Sequence, residues 1–357
     1  MKKIIIICIM LLIPIKIKAI ETSATSAILV DTDSGRILYS KDIHNKRSVA
    51  SISKIMTAII AIESNKMSDV VEINDSIDKA YGSGIYIKKG EHISLEDLVY
   101  GLMLRSGNDA ALAISNYVGG STEEFVNLMN NKAQELGMKN TLFRNPSGLD
   151  EEDGGNISTA YDMSLLISYA IKNDKFKEIT GTKHHKVETD KNIYSWTNKN
   201  KLLFSYNNTT GGKTGFTVKA RRTLVTTASK DNLNLAVVTL NDGNDFKDHH
   251  DLFEYGFNNY TNYQLLKKGT ITVPDQNNDK EYYIENDYTY PLLETEENSI
   301  LIKYNLEKNP KEKAGNIEIY LGDKLLHKEP LLYKEKEKQK QKKSLLQRIK
   351  EFFKNDK

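Results

Sequence analysis

The sequence predicts an α+β fold, in which an antiparallel sheet is flanked by helices, followed by a small all-β domain. Strand-like, β-branched runs lie at both ends of residues 20–262 and helical patterns fill the middle, so the terminal strands can share one sheet. Residues 263–333 instead contain short apolar runs separated by Gly, Pro, Asn and Asp, which is typical of a β-rich module. An amphipathic helix is predicted at the C-terminus.

The elements of the larger region can be assigned in order. Residues 26–30 are apolar and β-branched, residues 31–35 have turn chemistry, and residues 36–40 resume the apolar run, which predicts an antiparallel hairpin. A buried helix is expected over residues 51–64, because its apolar positions cover most of the helical circumference. Further helices are predicted in the middle of the region, over residues 95–104, 110–118, 121–138 and 156–171.

A second group of strands follows these helices. Strand-like runs from Gly211 to Asn241, separated by Asp231 and Asn232, predict an antiparallel meander, and a helix over residues 249–260 closes the unit. The strands expected in the β module are residues 270–273, 281–285, 299–304, 316–321 and 324–327.

Some polar and aromatic residues are interpreted as structural. The lone Trp196 is expected to be packed, and Asp162 fits the first turn of a helix; Asn156 is placed in the same class. The adjacent pairs His184–His185 and His249–His250 are interpreted as surface residues, because neighbouring side chains point apart.

The charge of the chain is unevenly distributed. The whole sequence has a formal net charge of +2, but residues 1–19 contain four lysines and no acid, and residues 334–357 contain ten Lys/Arg against four acids. Subtracting +4 and +6 from +2 leaves residues 20–333 at −8. An acidic body argues against nucleic acid as a partner.

Both ends of the chain have targeting character. Residues 1–19 combine Lys2 and Lys3 with an apolar run and a final Ala19, which predicts a signal peptide and an exported product. An uncleaved membrane anchor is the alternative. The single cysteine, Cys8, lies within this leader, so disulfides, thiolate catalysis and Cys-ligated metals are excluded from the mature chain. The histidines form no HExxH pair, and we expect neither a metal nor an organic cofactor.

The C-terminal tail, residues 334–357, is basic and amphipathic. Its bulky apolar residues recur at helical spacing and share one face; they are Leu345, Leu346, Ile349, Phe352 and Phe353. This composition predicts a helix in the interface of an anionic membrane. The alternative is a charged helix that packs on its own domain or frays in solvent. The expected location is peripheral, at the outer face of the cytoplasmic membrane or in the cell wall.

Two of three short motifs with candidate chemistry lie in the helical region. Ser51 and Lys54 form an S-x-x-K pair at the start of the buried helix, and residues three apart share a helix face, so the amine can reach the hydroxyl. The helix N-terminus also places backbone N–H groups beside this serine. Ser106 and Asn108 form an S-x-N pair in a break between two helices.

The third motif is Lys213-Thr214-Gly215, the only K-T-G in the chain, at the head of a strand. Its glycine permits close backbone approach, so a substrate could lie along the strand and extend the sheet. Single motifs are weak: S-x-x-K recurs at residues 76–79, interpreted as a solvated turn, and S-x-N recurs at residues 205–207 by chance. In this order and combination, however, the three motifs are those of penicillin-binding proteins and class A β-lactamases.

The chain resembles the D-alanyl-D-alanine carboxypeptidases, which are low-molecular-mass penicillin-binding proteins of serine peptidase family S11. The stretches that carry the resemblance are SAILVDTDSGRILYSKD, ASISKIMTA, LMLRSGNDAA, NPSGLD, STAYDM and KTGFT. It covers residues 24–262 closely and the β module more loosely. It implies a penicillin-binding-protein/serine β-lactamase-like fold, removal of the terminal D-alanine from peptidoglycan stem pentapeptides, and acylation by β-lactam antibiotics. Val49 and Arg221 depart from the residues usual in the family, and neither is a motif residue.

The resemblance implies roles for the catalytic residues. Ser51 would attack the D-Ala-D-Ala carbonyl and Lys54 would take its proton. Ser106 would relay that proton to the leaving amine, while Asn108 would hold the lysine and the substrate amide. The backbone N–H groups of Ser51 and Phe216 would form the oxyanion hole.

The substrate-binding residues implied by the resemblance lie on the K-T-G strand. They are Lys213, Thr214, Gly215, Phe216 and Thr217. Lys213 and Thr214 would bind the terminal carboxylate. Lys54 must be neutral to act as a base, which burial and a neighbouring cation such as Lys213 would favour.

Three other functions share some of these sequence features. A class A β-lactamase needs a deacylating Glu in an E-x-x-L-N loop, and this chain has NPSGLD in its place. A peptidoglycan DD-transpeptidase or endopeptidase would share the acyl-enzyme but transfer it differently. A catalytically inactive wall-binding module would use the β domain to engage a partner, and the intact motifs argue against it.

Overall fold

The computed structural model describes residues 20–150, 154–274, 280–307 and 313–335. The predicted signal peptide and the part of the predicted tail beyond residue 335 lie outside these residues. Contacts divide the described chain into two units, one ending at Asn262 and one beginning at Tyr263. Within the described ranges, no helix is both long enough and apolar enough to cross a membrane.

The first unit combines a central sheet with helices and three small two-stranded ladders. Its strands are β1 (Ser26–Asp31), β2 (Ile37–Lys41), β3 (Arg47–Ser48), β4 (Val70–Glu72), β5 (His92–Ser94), β6 (Ile157–Ser158), β7 (His184–Glu188), β8 (Ile193–Thr197), β9 (Thr209–Thr217), β10 (Arg221–Lys230) and β11 (Leu233–Leu240), and β12 (Tyr260–Leu266) follows at the boundary. Its α-helices are α1 (Lys54–Glu63), α2 (Leu95–Tyr100), α3 (Asn108–Gly119), α4 (Thr122–Glu135), α5 (Ala160–Ala170), α6 (Asp174–Gly181), α7 (Leu202–Ser205) and α8 (Asp245–Asn259). Short 3₁₀ helices span Ala50–Ser53 and Asp75–Lys79, and a π-helical turn spans Gly101–Arg105.

The central sheet joins the two ends of the first unit. Its strand order is β2-β1-β11-β10-β9, and all neighbouring pairs are antiparallel. β1 pairs with β11 along its whole length, which confirms the prediction that the terminal strands share a sheet. Every residue of β1 is buried, since α5 packs against β1 and β11 while α8 also covers β1 and β11.

The predicted hairpin and meander are confirmed. β1 and β2 form the hairpin, and β9, β10 and β11 form the meander. Asp231 and Asn232, between β10 and β11, both have positive φ, at 51° and 62°, as a tight hairpin turn requires. The buried helix is also confirmed, because every residue of α1 except the last, Glu63, is buried.

Other boundaries differ from the prediction. The helix expected from residue 156 begins at Ala160, because Thr159 caps it by accepting a hydrogen bond from the Asp162 N–H, and Ile157–Ser158 pairs as β6 with β3 instead. The hairpin of β7 and β8 was not predicted. Trp196 on β8 is buried, as expected.

The surface assignment is wrong for one of the four histidines, His249, while His185 and His250 are partly exposed. His249, on α8, is fully buried against the central sheet, where its ring nitrogens bond Thr226 Oγ1 at 2.6 Å and Thr239 Oγ1 at 3.0 Å. His185 is partly buried and stacks on Tyr100 with ring centroids 3.7 Å apart. Both are held by residues distant in sequence, so the local pattern could not reveal them.

The second unit is a small antiparallel sheet. Its strands are β13 (Gly269–Ile271), β14 (Lys280–Ile284), β15 (Tyr288–Leu293), β16 (Ile300–Leu306), β17 (Lys313–Leu321) and β18 (Lys324–Glu335), with a 3₁₀ helix at Glu294–Ser299. The main sheet has the order β13-β14-β18-β17-β16. Its core includes Ile284, Ile317, Ile319 and Leu331. The all-β character is therefore confirmed, although β15 was not predicted.

Candidate active site

The Ser51 turn is held by unusually close backbone packing. Ala50, the residue before it, has a positive φ of 50°, which is costly for a residue with a Cβ. Gly148 and Gly215 lie against this turn: a Cβ on Gly148 would be 2.0 Å from the Ala50 carbonyl oxygen, and one on Gly215 would be 3.1 Å from the Ser51 nitrogen. Position 148 therefore requires glycine, and position 215 does too, because a Cβ there would also be 2.4 Å from Thr223 Oγ1. Together they fix a partly exposed Ser51 in the 3₁₀ turn that precedes α1.

Lys54 is fully buried at the first position of α1 and points at Ser51. Its Nζ lies 3.2 Å from Ser51 Oγ, 2.7 Å from Asn108 Oδ1 and 2.5 Å from the Ser147 carbonyl oxygen. The structure thus brings together both residues of the S-x-x-K pair and one of the S-x-N pair. Sequence reasoning missed the Ser147 carbonyl, because a backbone acceptor leaves no residue-type pattern.

The environment of Lys54 favours its neutral form. Burial is the largest cause and the positive charge of Lys199 adds to it, while Asp109 opposes the change; together they lower the pKa of the Lys54 ammonium to about 7. We expected a neighbouring cation such as Lys213 to contribute; Lys199, on the segment after β8, is instead the cation that lowers the pKa of Lys54. No motif marked Lys199.

The S-x-N residues sit where the π-helical turn ends and α3 begins. Ser106 is buried with a left-handed φ of 65°, and Asn108 is the first residue of α3. The Asn108 side chain accepts from Lys54 and donates through Nδ2 to the Tyr81 carbonyl oxygen at 2.5 Å. Its backbone N–H donates to the Ser83 carbonyl oxygen at 2.8 Å. The side-chain amide of Asn108 is therefore held by hydrogen bonds at both its oxygen and its nitrogen.

Asp109 anchors the segment that contacts Asn108. Its buried carboxylate accepts hydrogen bonds from the backbone N–H groups of Ile85 and Tyr86, the latter at 2.6 Å. Tyr86 has a positive φ of 64° and a 75% exposed side chain, so this carboxylate holds a strained backbone in place.

The K-T-G residues lie on the edge strand β9. Lys213 is buried and donates to the Thr214 carbonyl oxygen at 2.7 Å. Burial lowers the pKa of Lys213 well below its usual value, and the charges of Lys54 and Lys199 add to this. Thr217, at the end of β9, pairs with Arg221 of β10.

A cavity of about 340 Å³ opens over these motifs. Its lining includes five residues of the predicted set, which are Ser51, Ser106, Thr214, Gly215 and Phe216. The other four do not line it; they are Lys54, Asn108, Lys213 and Thr217. The remaining lining residues were not predicted; they are Ser83, Lys199, Lys201, Arg222, Asp245 and Phe246.

Cations outnumber carboxylates on this lining. Arg222 and Asp245 form an ion pair, with Arg222 Nε 3.1 Å from Asp245 Oδ2, which leaves Lys199 and Lys201 in excess. The cavity therefore suits an anionic substrate. Across the described residues, no cluster of three or more His, Cys, Asp or Glu side chains could hold a metal ion.

The second matches to S-x-x-K and S-x-N agree with their interpretation. Residues 76–79 lie in an exposed 3₁₀ helix with no buried residue, and Ser205 ends the short helix α7.

The NPSGLD stretch, by contrast, is part of the site. Asn145 Oδ1 accepts from the backbone N–H of Gly148 at 2.7 Å, and Thr57 Oγ1 donates to the Pro146 carbonyl oxygen at 2.7 Å, which fixes the loop that presents the Ser147 carbonyl to Lys54.

Comparisons with known proteins agree with this geometry. Residues 14–244 match the family model of peptidase family S11, described as D-alanyl-D-alanine carboxypeptidase. The D-alanyl-D-alanine carboxypeptidase DacF of Bacillus subtilis is 33% identical over 297 residues, covering 80% of this chain and 74% of that enzyme. DacC of Escherichia coli is 34% identical over 257 residues, covering 68% of this chain and 63% of that enzyme.

Solved structures give the same result for the fold. Penicillin-binding protein 5 from Haemophilus influenzae superimposes with a TM-score of 0.76 at 25% identity, covering 89% of this chain and 98% of that one. A mutant of the Streptomyces K15 DD-transpeptidase has a TM-score of 0.63 at 28% identity, covering 67% of this chain and all of that one. The predicted fold class and resemblance are confirmed, and the chain belongs to peptidase family S11, the D-alanyl-D-alanine carboxypeptidases, as a serine-type carboxypeptidase of cell-wall metabolism.

Proposed function

We propose that Ser51 is the nucleophile and Lys54 the general base of a carboxypeptidase that removes the terminal D-alanine from peptidoglycan stem pentapeptides. One observation carries this assignment: a fully buried amine lies 3.2 Å from the Ser51 hydroxyl and has a pKa of about 7. A base is most effective when its pKa is near the working pH, and burial brings the pKa of this amine into that range.

Acylation follows from these contacts. Ser51 Oγ bonds to the carbonyl carbon of the penultimate D-alanine as Lys54 Nζ accepts the hydroxyl proton. The bond from that carbon to the leaving nitrogen then breaks, and Ser106 passes a proton to the departing amine. Water hydrolyses the ester and restores Ser51. Asn108 holds Lys54 throughout, because its own amide is fixed by the Tyr81 carbonyl.

The developing oxyanion would be bound by the backbone N–H groups of Ser51 and Phe216. The support is the close approach of β9 to the Ser51 turn, where Gly215 leaves no room for a side chain beside the Ser51 nitrogen. A donor of this kind contributes about 3–4 kcal/mol to the transition state in comparable sites.

The substrate carboxylate would lie at the Thr214 end of the cavity. Thr214, Gly215, Phe216 and Thr217 supply the strand along which the peptide is bound, and Lys213 lies behind them as a buried amine. The excess of cations on the cavity lining supports recognition of a free carboxylate. β-Lactam antibiotics, which carry a carboxylate beside the reactive amide, would acylate Ser51 in the same position.

The remaining assignments concern the whole chain. We place the signal peptide at residues 1–19, the catalytic domain at 20–262, the β-rich domain at 263–333 and the membrane-associating tail at 334–357. The enzyme would work outside the cytoplasm, peripherally bound to the anionic outer face of the membrane. The +6 charge and apolar helical face of the tail support this location.

The test is mass spectrometry of a stem pentapeptide incubated with wild-type and Ser51→Ala protein. The wild type should release D-alanine and should be labelled covalently by a fluorescent penicillin, and Ser51→Ala should do neither. Ser76→Ala, which alters the other S-x-x-K match, is the control and should retain both properties. D-alanine release by folded Ser51→Ala would refute the assignment of the nucleophile.

A DD-transpeptidase is the second candidate, because one solved relative of similar structure is named as such. Adding an amino acceptor to the same assay separates the two functions. Hydrolysis should remain the main outcome for a carboxypeptidase, and capture of most of the acyl group by the acceptor would favour the transpeptidase.

A further inference from the structure

Residues 81–86 form a short segment that holds Asn108 in place. The Tyr81 carbonyl oxygen accepts from the Asn108 side chain at 2.5 Å, and the Ser83 carbonyl oxygen accepts from its backbone N–H at 2.8 Å. Ser83 also lines the active-site cavity, where its hydroxyl accepts a hydrogen bond from Lys199 Nζ at 3.3 Å. One segment therefore contacts both the amide that binds the proposed base and the cation that lowers the pKa of that base.

The segment is strained where it ends. Tyr86 has a left-handed φ of 64°, which is costly for a residue with a Cβ. Its side chain is 75% exposed, so packing of the ring contributes little to holding this conformation. A strained residue persists only where the surrounding structure imposes its conformation. The constraint on Tyr86 must therefore come from contacts of its backbone.

The Asp109 carboxylate supplies this constraint. It is buried and accepts hydrogen bonds from the backbone N–H groups of Tyr86 at 2.6 Å, Ala110 at 2.9 Å and Ile85 at 3.0 Å. Within the described residues, all of its hydrogen bonds come from backbone N–H groups. Such charge-assisted bonds are about twice as strong as neutral ones. Because Asp109 follows Asn108 in α3, the carboxylate ties the strained segment to the helix that presents the amide.

Asp109 also acts on the base through its charge. Burial and the positive charge of Lys199 lower the pKa of Lys54, and the negative charge of Asp109 opposes them. Other charged or titratable groups face these three residues within the described structure; they are Lys213, Tyr194 and Arg105. Asp109 is the one carboxylate among the charges that act on Lys54. Its charge favours the ammonium form, which cannot accept the proton of Ser51.

We propose that Asp109 is a positioning residue of the acylation step: its carboxylate holds residues 81–86 against Asn108 and so orients Lys54, while its negative charge favours the protonated form of that lysine. The proposal rests on the proposed role of Lys54 as the base. Asp109 is not itself a catalytic residue, because Lys54 binds Ser51, Asn108 and the Ser147 carbonyl in the described structure and not this carboxylate.

Asp109→Asn tests both parts of the proposal. An amide has one acceptor oxygen, so the N–H of either Tyr86 or Ala110 loses its partner. The rate constant of acylation by a fluorescent penicillin is measured from pH 5 to 9. Its plateau at high pH, where Lys54 is neutral, should fall about tenfold, because the segment no longer fixes the amide. The acidic limb should move to lower pH, because the charge that favours the ammonium is gone.

Two further variants separate geometry from charge. Asp109→Glu keeps the charge but moves the carboxylate by one methylene, so the plateau should fall and the limb should stay in place. Asp109→Asn/Tyr86→Gly relieves the strain, because glycine adopts a positive φ without steric cost. The double variant should recover the plateau about threefold relative to Asp109→Asn and keep the limb at the lower pH. It also carries the test of the limb if Asp109→Asn folds poorly.

Asp162→Asn is the matched control. Asp162 is a buried carboxylate in the first turn of α5, where it accepts from the Asn140 N–H at 2.7 Å and from Thr141 Oγ1 at 2.8 Å, and it does not line the active-site cavity. The control should lose thermal stability and keep both the plateau and the limb, because a rate constant counts only folded molecules.

The results that contradict each part differ. An unchanged plateau in Asp109→Asn, an equal fall in Asp162→Asn, or no recovery in the double variant would overturn the positioning role. A limb that stays in place or moves to higher pH in Asp109→Asn would overturn the effect of the charge. Labelling of folded Ser51→Ala would instead overturn the proposed nucleophile, whatever the Asp109 variants do.

Discussion

Gly148 lies directly against the carbonyl group of Ala50, so closely that a Cβ on Gly148 would be 2.0 Å from that oxygen. Gly148 also has a left-handed φ of 78°. This contact joins the NPSGLD loop to the turn before the proposed nucleophile. Because the preceding residue, Ser147, supplies a carbonyl to Lys54, one backbone contact sets the position of both Ser51 and its base.

Gly148→Ala should therefore reduce acylation strongly. The added methyl meets rigid backbone, so either the loop or the Ser51 turn must move, and a displacement of about 1 Å in a catalytic site can cost about 100-fold in rate. Gly120→Ala is a matched control, because Gly120 has the same φ of 78° but no atom within 4 Å of its added Cβ. It should lose roughly 1–2 kcal/mol of stability and keep its acylation rate. Equal rates for the two variants would contradict the role of the contact.

The rate of acylation should depend on pH through Lys54. Its pKa is lowered to about 7, so the neutral base is lost below that pH and the rate should fall about tenfold for each further pH unit. Lys199→Met removes a cation that lowers this pKa. The pKa of Lys54 should then rise, and the acidic limb of the profile should move to higher pH.

Penicillin acylation measured from pH 5 to 9 gives this profile, and Lys201→Met is the control. Lys201 lines the same cavity, but it is not among the charges that shift Lys54. If the acidic limb of the pH profile moves equally in Lys199→Met and Lys201→Met, the shift is a general effect of cavity charge. That result would contradict a specific effect of Lys199 on the pKa of Lys54.

The site shows which features a sequence pattern can predict. Spacing three apart correctly predicted that Lys54 lies beside Ser51. The sequence pattern predicted that Asn108 lies in a break between helices, and only the family resemblance implied its contact with Lys54. Lys199 and the Ser147 carbonyl escaped prediction, because each reaches the site through tertiary packing and a carbonyl carries no residue identity. The main sheet, by contrast, was predicted from alternation and turn residues, because both are local features of the sequence.

His249 should make the fold sensitive to acid. Burial lowers its pKa well below 6.5, so the folded state stays unprotonated there while the unfolded chain takes up a proton. Because the unfolded state binds more protons, the free energy of unfolding falls as the pH drops below about 6.5, by up to about 1.4 kcal/mol per pH unit.

Urea unfolding at pH 7.5 and pH 5.5 measures this loss. It should be smaller in His249→Gln, which cannot take up the proton, and the exposed His184→Gln should retain the wild-type loss. If His249→Gln loses as much stability as the wild type between the two pH values, the acid sensitivity comes from other groups.

Deletion of residues 336–357 should release an active enzyme from anionic membranes. The cut follows β18, which ends at Glu335, so the sheet of the second unit is retained. Co-sedimentation with vesicles containing phosphatidylglycerol measures binding, and the full chain should bind less at high salt, because lysines and arginines supply part of the attraction.

The double variant Phe352→Ser/Phe353→Ser separates charge from apolar insertion. It keeps the +6 charge, so it should bind weakly at low salt and detach fully at a salt concentration where the wild type is still partly bound. All three proteins should acylate with penicillin at the same rate, because the altered residues lie outside the catalytic unit. Vesicle binding by the deletion variant would place the membrane contact elsewhere in the chain.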